Sequence, residues 1–504
     1  MINILSVSNM RQSDAETIRT KIPSKDLMKR AGEAIYKEVN DRGKWIGEIA
    51  IVCGTGNNAG DGYVIASLLA DDSIACKLFI LADKFSEDGG FYFKEAISKG
   101  VSYEFIGDEV PDFSLYSTIV DCIYGTGFHG VITGSTRSII EAINNAKQQG
   151  TYVISVDINS GLNGDNGLED LCVNSNLTIS VGDYQPGHFL SMAKDVMEDK
   201  VNCPIGIDPI EVPYSLYEKS DVAKCLGRRK NMSNKGDYGY VALVGGSSKY
   251  SGAIRLAYLA DAAMRSGAGV CCVGAPSEIT DIIASHILES TIIPLKSKNG
   301  ELIYDENDFT EVMKHKKAIA FGMGIGRSRE SAKALERLIK DYEGNLIIDA
   351  DGISDLADIG SDILLDSKAK IVLTPHLKEF SRISSKSIED IINNPIGLAK
   401  EYASMYGVIV LLKGPSTIVT DGKGVIIIDK GCAGMATAGS GDVLAGVLAA
   451  ICSYGEGSIL ENVAAGAYIN GYAGELAQQN HGAISMVASD TISMIQTAIL
   501  GILS

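Results

Sequence analysis

Zinc-ligand spacings, long apolar runs and excess positive charge are absent from this sequence, and each absence removes a class of function. None of the ten cysteines falls in a C-x-x-C pair, and the six histidines do not stand at zinc-ligand spacing from them. Neither a structural zinc nor a disulfide framework is expected, and the thiols read as reduced core residues of a cytosolic protein. No stretch approaches the ~20 apolar residues that span a bilayer. The start, Met1-Ile2-Asn3-Ile4-Leu5-Ser6, has no basic end leading into an apolar run. A signal peptide and a membrane segment are therefore not expected, and the expected location is cytoplasmic. Positive charge is in deficit: 45 lysines and arginines stand against 63 aspartates and glutamates, a formal net charge of −18. Such a chain is not expected to wrap nucleic acid or coat an anionic membrane. Where it holds a phosphate it needs backbone amides or single lysines to supply local positive potential.

What is present is an ordinary globular composition, 45% hydrophobic and 21% charged, in a chain of 504 residues. That length implies two cores. A helical lead-in carries an apolar face at Met10, Ala15, Ile18, Leu27, Met28, Ala31, Ala34 and Ile35. Short apolar runs then alternate with helix-length stretches: Ile49–Cys53, Cys76–Leu81, Thr118–Ile123, Tyr152–Val156 and Leu177–Val181. Strand–helix alternation predicts a parallel sheet covered on both faces. The pattern breaks between about Val201 and Lys230, where Pro204, Pro209 and Pro213 cluster. The expected domains are 1–217 and 218–504. The second half restarts with buried strands at Tyr240–Val244, Val270–Gly274, Ala318–Phe321, Leu346–Ile348, Ile371–Leu373 and Val408–Leu412. Ser416–Thr420 and Gly424–Asp429 read as a hairpin on the sheet edge. Helices rich in alanine and glycine follow, and they suggest packing against another subunit, a homo-oligomer.

The strongest local signal is the segment 431–444, where glycines run into a helix of small residues through Gly439-Ser440-Gly441-Asp442. A helix start offers unpaired amides and a positive dipole end, and glycines let a phosphate approach the backbone. Asp442 falls in the first turn. A carboxylate beside an anion hole suits accepting a proton from a hydroxyl that attacks phosphorus; the plain alternative is a capped tight loop. Upstream, Lys413-Gly414 ends one strand, where the lysine can serve as a point charge for phosphate, Thr374-Pro375-His376 ends another and Gly322–Gly326 a third. Ligands of open parallel sheets bind at such strand ends.

In the N-terminal half, Ile49–Cys53 leads into Gly54-Thr55-Gly56-Asn57-Asn58-Ala59-Gly60-Asp61-Gly62. The carboxamides and carboxylate there suit a cation or hydroxyls better than bare phosphate. Asn58, Asp121 and Ser160 offer hard oxygens for one monovalent ion, with three capped turns as the plain alternative. Asp157 is left as an acid or base.

Over 228–504 the order of motifs resembles the ADP/ATP-dependent NAD(P)H-hydrate dehydratase family. It comprises Gly236-Asp237-Tyr238-Gly239, Gly245-Gly246-Ser247, Gly252-Ala253, Arg265–Gly269, Gly322–Gly326, Asp349-Ala350-Asp351, Thr374-Pro375-His376, Lys413-Gly414 and Gly439–Asp442. Residues 1–215, with Ser24–Gly32 as helical entry, resemble the NAD(P)H-hydrate epimerase family. These resemblances imply a ribokinase-like fold after a Rossmann-like one, in a bifunctional lyase and isomerase that repairs hydrated NADH and NADPH. In the dehydratase half they put Ala253, Gly324, His376 and Asp442 on the hydrated dinucleotide. Lys413, Gly414, Gly431, Gly434, Met435, Ala436, Thr437, Ala438, Gly439, Ser440 and Gly441 are put on ADP or ATP with Mg2+. In the epimerase half they put Asn57, Asn58, Ala59, Gly60, Asp61, Gly125, Thr126, Gly127, Phe128, His129, Gly130, Val131 and Asp157 on the substrate. Potassium falls to Asn58, Asp121 and Ser160, and the reacting groups are Asp442 and Asp157. Departures from the families' patterns are Lys378 for glycine, Cys432 for asparagine, Ala438 for glycine, Ala59 for glycine, Asn159 for proline and Gln185 for lysine. The rival expectation is a small-molecule kinase of the hydroxymethylpyrimidine or hydroxyethylthiazole type, with a first half that only binds.

Overall fold

In a computed structural model, the structure describes residues 1–107, 109–168, 170–248 and 252–504, with the side chains of 252–258 outside the description. The chain divides into two compact units, one of Asn3–Pro213 and one of Tyr214–Ser504 together with Met1–Ile2. With β1 at Ile2–Ile4, the first unit holds β2 (Ile49–Cys53), β3 (Cys76–Ile80), β4 (Ser102–Phe105), β5 (Thr118–Cys122), β6 (Tyr152–Val156), β7 (Leu177–Val181) and β8 (Lys200–Cys203). They form a seven-stranded parallel sheet in the order β4-β3-β2-β5-β6-β7-β8. Alternate residues of β2 feed two cores. Ile49, Ile51 and Cys53 pack with Met28, Tyr63 and Ile65 on one face, while Ala50 and Val52 pack with Phe79, Ile139 and Ile143 on the other. Period-2 side chains on a strand buried from both sides explain its unbroken apolar run.

The second unit contains β9 (Tyr214–Leu216), β10 (Tyr240–Gly245), β11 (Val270–Pro276), β12 (Thr291–Leu295), a small hairpin of β13 (Ser297–Lys298) and β14 (Glu301–Leu302), β15 (Ala318–Met323), β16 (Asn345–Ile348), β17 (Lys370–Leu373), β18 (Ile409–Leu412), β19 (Thr417–Thr420) and β20 (Val425–Ile428). The main sheet runs β1-β9-β20-β19-β18-β17-β16-β15-β10-β11-β12. The strands from β12 through β18 pair in parallel, and β19 and β20 are antiparallel additions. The helix Ser440–Tyr454 is buried from Val443 to Ser453. A helix apolar all round belongs in a core, and this one packs among β10, β15 and the two helices that follow it.

Two expectations are corrected. The β19–β20 hairpin is not on the edge: β20 pairs in parallel with β9, through Ile426 with Ser215 and Ile427 with Leu216. The stretch from Val201 to Lys230 is not patternless, since β8, β9 and the helix Lys219–Leu226 fall in it. Strands of three or four residues are too short to display a period. Both sheets reverse their winding once, between β2 and β5 and between β10 and β15. Crevices outside the carboxyl ends of strands at such reversals are where open α/β sheets bind ligands.

Candidate active sites

At the first reversal a cavity of about 620 Å³ opens beyond β2 and β5. Its lining includes Asn57, Asn58, Asp61, Gly125, Thr126, Gly127, Phe128, His129 and Asp157, all expected from the sequence. Ala59 and Gly60 lie buried in the helix Asn57–Asp71 and do not reach the cavity; neither do Gly130 and Val131. The opposite wall comes from the N-terminal helices through Met10, Arg11, Asp14, Ile18, Leu27 and Met28. Of these, Arg11 and Asp14 were not anticipated. Asp14 stands four residues from both Met10 and Ile18, so it lies within the apolar stripe of its helix, and that misplaced carboxylate was the available signal.

Asp157 sits just past β6 with φ of 67°, a conformation costly for a residue other than glycine. Its Oδ2 accepts the Thr126 amide at 2.8 Å. Burial pushes its pKa up to about 6 against that bond. Asp61 is pushed well above the ordinary carboxylate range by burial, with Asp157 and Asp14 adding repulsion. His188 Nε2 donates to the Asp157 carbonyl at 2.7 Å while its Nδ1 accepts the Gln185 amide, and burial lowers its pKa to about 4, so it is a neutral support.

Asp121 is fully buried. Its Oδ1 accepts from Ile123 N at 3.2 Å and Ser160 Oγ at 2.5 Å, and its Oδ2 from Ser155 Oγ and Ser160 N, each at 2.9 Å. Ser160 Oγ also accepts the Tyr124 amide at 2.8 Å. Asp121 and Ser160 are thus brought together. Asn58 is 8% exposed, and among the described residues neither its Oδ1 nor its Nδ2 has a partner. A buried carboxamide with nothing to bond costs roughly 1–3 kcal/mol, so this position calls for a ligand. One carboxylate with neutral oxygens is a donor set that suits a monovalent cation; among the described residues no hydrogen bond joins Asn58 to Asp121 or Ser160.

The departures in this half have structural explanations. Asn159 is fully buried and its Nδ2 donates to Val173 O, Ser175 Oγ and Val196 O at 2.7–3.1 Å, while its Oδ1 accepts from Thr178 Oγ1. It ties the loop after β6 to neighbouring segments. Gln185 is fully buried, donates to Asp183 O and does not line the cavity.

In the second unit, strand ends converge on Lys413, just past β18. Its Nζ lies 2.9 Å from Asp349 Oδ1 and 3.9 Å from Glu379 Oε2. Burial pulls its pKa down, but Asp349, Glu379 and Asp442 outweigh that and hold it above the ordinary lysine value. The lysine is therefore a fixed cation, braced by a buried carboxylate whose role was not read from the sequence. Gly441, in the first turn of Ser440–Tyr454, runs close by: a Cβ there would stand 3.6 Å from both Asp349 Oδ2 and Lys413 Nζ. Gly439 has φ of 98°. Among the described residues the amides of Gly439 and Gly441 donate to no other protein group, as the open end of a helix requires.

Asp442 lines a cavity of about 220 Å³ with Ala438, Gly439, Val443, Val487, Ala488, Ser489 and Ile492. His376 lines another, of about 270 Å³, with Ala350, Asp351, Ser354, Lys378, Glu379 and Arg382. His376 caps the helix Leu377–Ser384, its Nδ1 accepting the Lys378 and Glu379 amides at 3.1 and 3.2 Å. Burial and then Lys413 lower its pKa, leaving it neutral. Gly324 follows β15, where Gly322 lets that strand end approach β16; a Cβ at Gly322 would meet Asp349 O at 2.2 Å. Gly326 N donates to Asp351 Oδ2 at 2.9 Å. The side chain of Ala253 lies outside the described residues.

Gly414 follows Lys413, and the remainder of the expected nucleotide segment is tied down. Gly431 N donates to Glu475 and Gly434 N to Gln478, on the helix Ile459–His481. The amides of Met435, Ala436 and Thr437 bond within the loop, and Ser440 N reaches Thr437 O at 3.4 Å. The free amides are thus concentrated at the helix mouth. Among the described residues no three His, Cys, Asp or Glu side chains group as a metal site, and no helix is long and apolar enough to cross a membrane.

Residues 241–497 match the family model described as NAD(P)H-hydrate dehydratase, and residues 24–187 match that of the YjeF-related protein N-terminus. The chain is 30% identical over 500 residues to a bifunctional NAD(P)H-hydrate repair enzyme of Thermofilum pendens, covering 95% of this chain and 93% of the relative. It is 31% identical to the protein of that name from Methanothermobacter thermautotrophicus, covering 98% and 94%. Among solved structures, it resembles an ADP/ATP-dependent NAD(P)H-hydrate dehydratase of Bacillus subtilis co-crystallised with ATP/Mg2+, with a TM-score of 0.50, 23% identity, and coverage of 58% of this chain and 100% of that one. A ribokinase-like superfamily protein of Enterococcus faecalis gives a TM-score of 0.51 at 21% identity, covering 58% and 98%. The two solved structures bear on the fold of the second unit alone.

Proposed function

The chain belongs to the family of bifunctional NAD(P)H-hydrate repair enzymes, and from that premise we propose how its two units divide the work. The first unit (1–217 in the sequence reading) interconverts the two configurations of the hydrated nicotinamide ring. The second (218–504) dehydrates one of them, the S form, using ADP and releasing AMP and phosphate. The observation that carries the second assignment is the helix mouth: free amides at Gly439 and Gly441 beside Lys413, with Asp442 on the adjoining cavity wall.

Hydroxide leaves a ring carbon poorly. Phosphorylating the ring hydroxyl turns the leaving group into phosphate; the ring nitrogen expels it as an iminium forms, and loss of a proton from the adjacent ring carbon restores the double bond of the reduced ring. Asp442 takes the hydroxyl proton, a contribution of about 10²–10⁴ in rate. The amides of Gly439 and Gly441 and the ammonium of Lys413 face the charge that builds on the transferred phosphoryl group. Mg2+ bound with the polyphosphate would supply neutralisation of its charge. His376, neutral and with Nδ1 occupied as an acceptor, offers Nε2 to the dinucleotide, alongside Gly324 and Ala253. In the first unit Asp121, Ser160 and the unsatisfied oxygen of Asn58 would hold potassium, which would supply a coordination point for a polar oxygen of the substrate. Asp157 and Asp61 face the ring. The protein acts on small molecules as a cytoplasmic homo-oligomer.

The test is hydrated NADH with ADP and Mg2+, following the near-ultraviolet absorbance of the reduced ring. Recovery of NADH with one AMP and one phosphate per turnover is expected. A stable phosphorylated compound without recovery would make the second unit a simple kinase.

A further inference from the structure

The cavity beyond β2 and β5 has a charge inventory unlike that of a phosphate cradle. Three carboxyl groups, Asp14, Asp61 and Asp157, share its wall with Arg11 and His129. Asp157 is held at one end by the Thr126 amide. There is no room for a side chain between it and the neighbouring loop, because a Cβ at Gly125 would stand 2.5 Å from its Oδ2. On the same wall is Asn58, more than nine-tenths buried, with both polar atoms unbonded among the described residues. Once Oδ1 turns to a cation, Nδ2 remains as a donor for a polar ring substituent. The cavity thus pairs a polar anchor with a cluster of carboxyls, an environment that favours a substrate becoming positively charged.

Resting on the epimerase reading above, we propose that Asp61 and Asp157 act as an acid–base pair that epimerises the hydrated ring by breaking and remaking its carbon–oxygen bond. Asp61 gives its proton to the ring hydroxyl. The C–O bond breaks, its electron pair leaving with the oxygen as water, and the ring-nitrogen lone pair forms a C=N bond. The ring is then an iminium cation, stabilised by the surrounding carboxylates. Water adds to the other face of the same carbon, the C=N pair returns to nitrogen, and the proton lost by the water goes to Asp157. One proton has moved from Asp61 to Asp157, and the next turn, on the opposite epimer, runs with the roles exchanged. Atoms and charge balance without an outside reagent. Burial raises both groups, with repulsion from Asp157 and Asp14 added at Asp61 and from Asp14 at Asp157, which is consistent with these roles.

This route exchanges the hydroxyl oxygen with solvent. Opening the ring at its C–N bond would instead carry the original oxygen through. The experiment is epimer exchange by the full chain in ¹⁸O-labelled water with ADP omitted, so that the second unit is idle. One labelled oxygen per inversion, above the uncatalysed background, is expected. Asp61→Asn is expected to lower kcat on the order of 10²-fold or more with KM nearly unchanged. Inversion without label, or Asp61→Asn with unchanged kcat, overturns the proposal. The labelling result comes from the unaltered protein and does not depend on how the variant folds. Absence of any epimer exchange in the unaltered protein would sink the epimerase reading itself, whereas exchange without label sinks only this chemistry.

Discussion

Gly125 and Asp157 depend on each other, since the aspartate occupies the space a side chain at 125 would fill. Gly125→Ala is expected to displace that carboxylate and slow epimerisation at least ~10-fold, by the cost of misplacing a reacting group. Circular dichroism and the melting temperature should barely move; an unchanged rate would contradict the placement. Asp157 also sets a pH dependence. With its folded pKa near 6 against an ordinary 3.8, the carboxylate serving as base is lost as pH falls through about 6, and epimerisation should fall with it. The stability linkage has the opposite sense: the fold favours the protonated group, so this contribution is complete below about 3.8 and is lost as pH rises through about 6. A flat rate profile between about pH 5 and pH 7 would rule Asp157 out as the base. Lys378 is exposed on the cavity that His376 lines, where it adds a cation to the wall. Lys378→Gly is expected to raise KM for the hydrated dinucleotide several-fold and leave kcat alone; steady-state kinetics on the S epimer checks it.

The helix Asp351–Ile359 illustrates what a single element contributes. It follows Ala350, at φ of 51°, and its first residue fixes Gly326. One turn on, Asp355 is 1% exposed, and among the described residues its Oδ2 has no partner. Burial pushes it up to about 7, against a bond from Ser331. Because the folded pKa is raised, its stabilising state is the protonated one, lost as pH rises through about 7. Asp355→Asn should therefore add more stability at about pH 8 than at about pH 5, by up to roughly 4 kcal/mol at the higher pH, and melting temperatures at the two pH values check it; an equal rise at both would refute the assignment. Elements of this sort were readable to different degrees. β2, β10, β15 and β18 announce themselves because strands buried on both faces must be apolar throughout. β4 is exposed at every residue at the end of its sheet, and β9 has three residues, so neither carries a pattern. The strand-end loops were legible because their glycines and carboxylates follow apolar runs. The helical wall of the first cavity and the Asp349–Lys413 pair were not, since both arise from residues far apart in sequence.

The chain carries two candidate sites of different electrical character, the cavity beyond β2 and β5 and the strand ends around Lys413 at the helix mouth of Gly439–Gly441, inside a molecule with a net charge of −18. One gathers carboxyls, and the other gathers free amides and a braced lysine. That difference matches the two reactions: a ring that passes through positive charge, and a phosphoryl group that carries negative charge. Joining them on one chain lets both epimers be consumed through a dehydratase that reads one. The most direct measurement is the final yield of reduced cofactor from a mixture of both epimers with ADP and Mg2+, for the unaltered chain and for Asp157→Asn. Complete recovery is expected from the unaltered chain, and from Asp157→Asn a fast phase that ends once the S epimer is spent, the rest following at the uncatalysed rate of epimer exchange. Equal, complete recovery by both at the same rate, or recovery by neither, would contradict it.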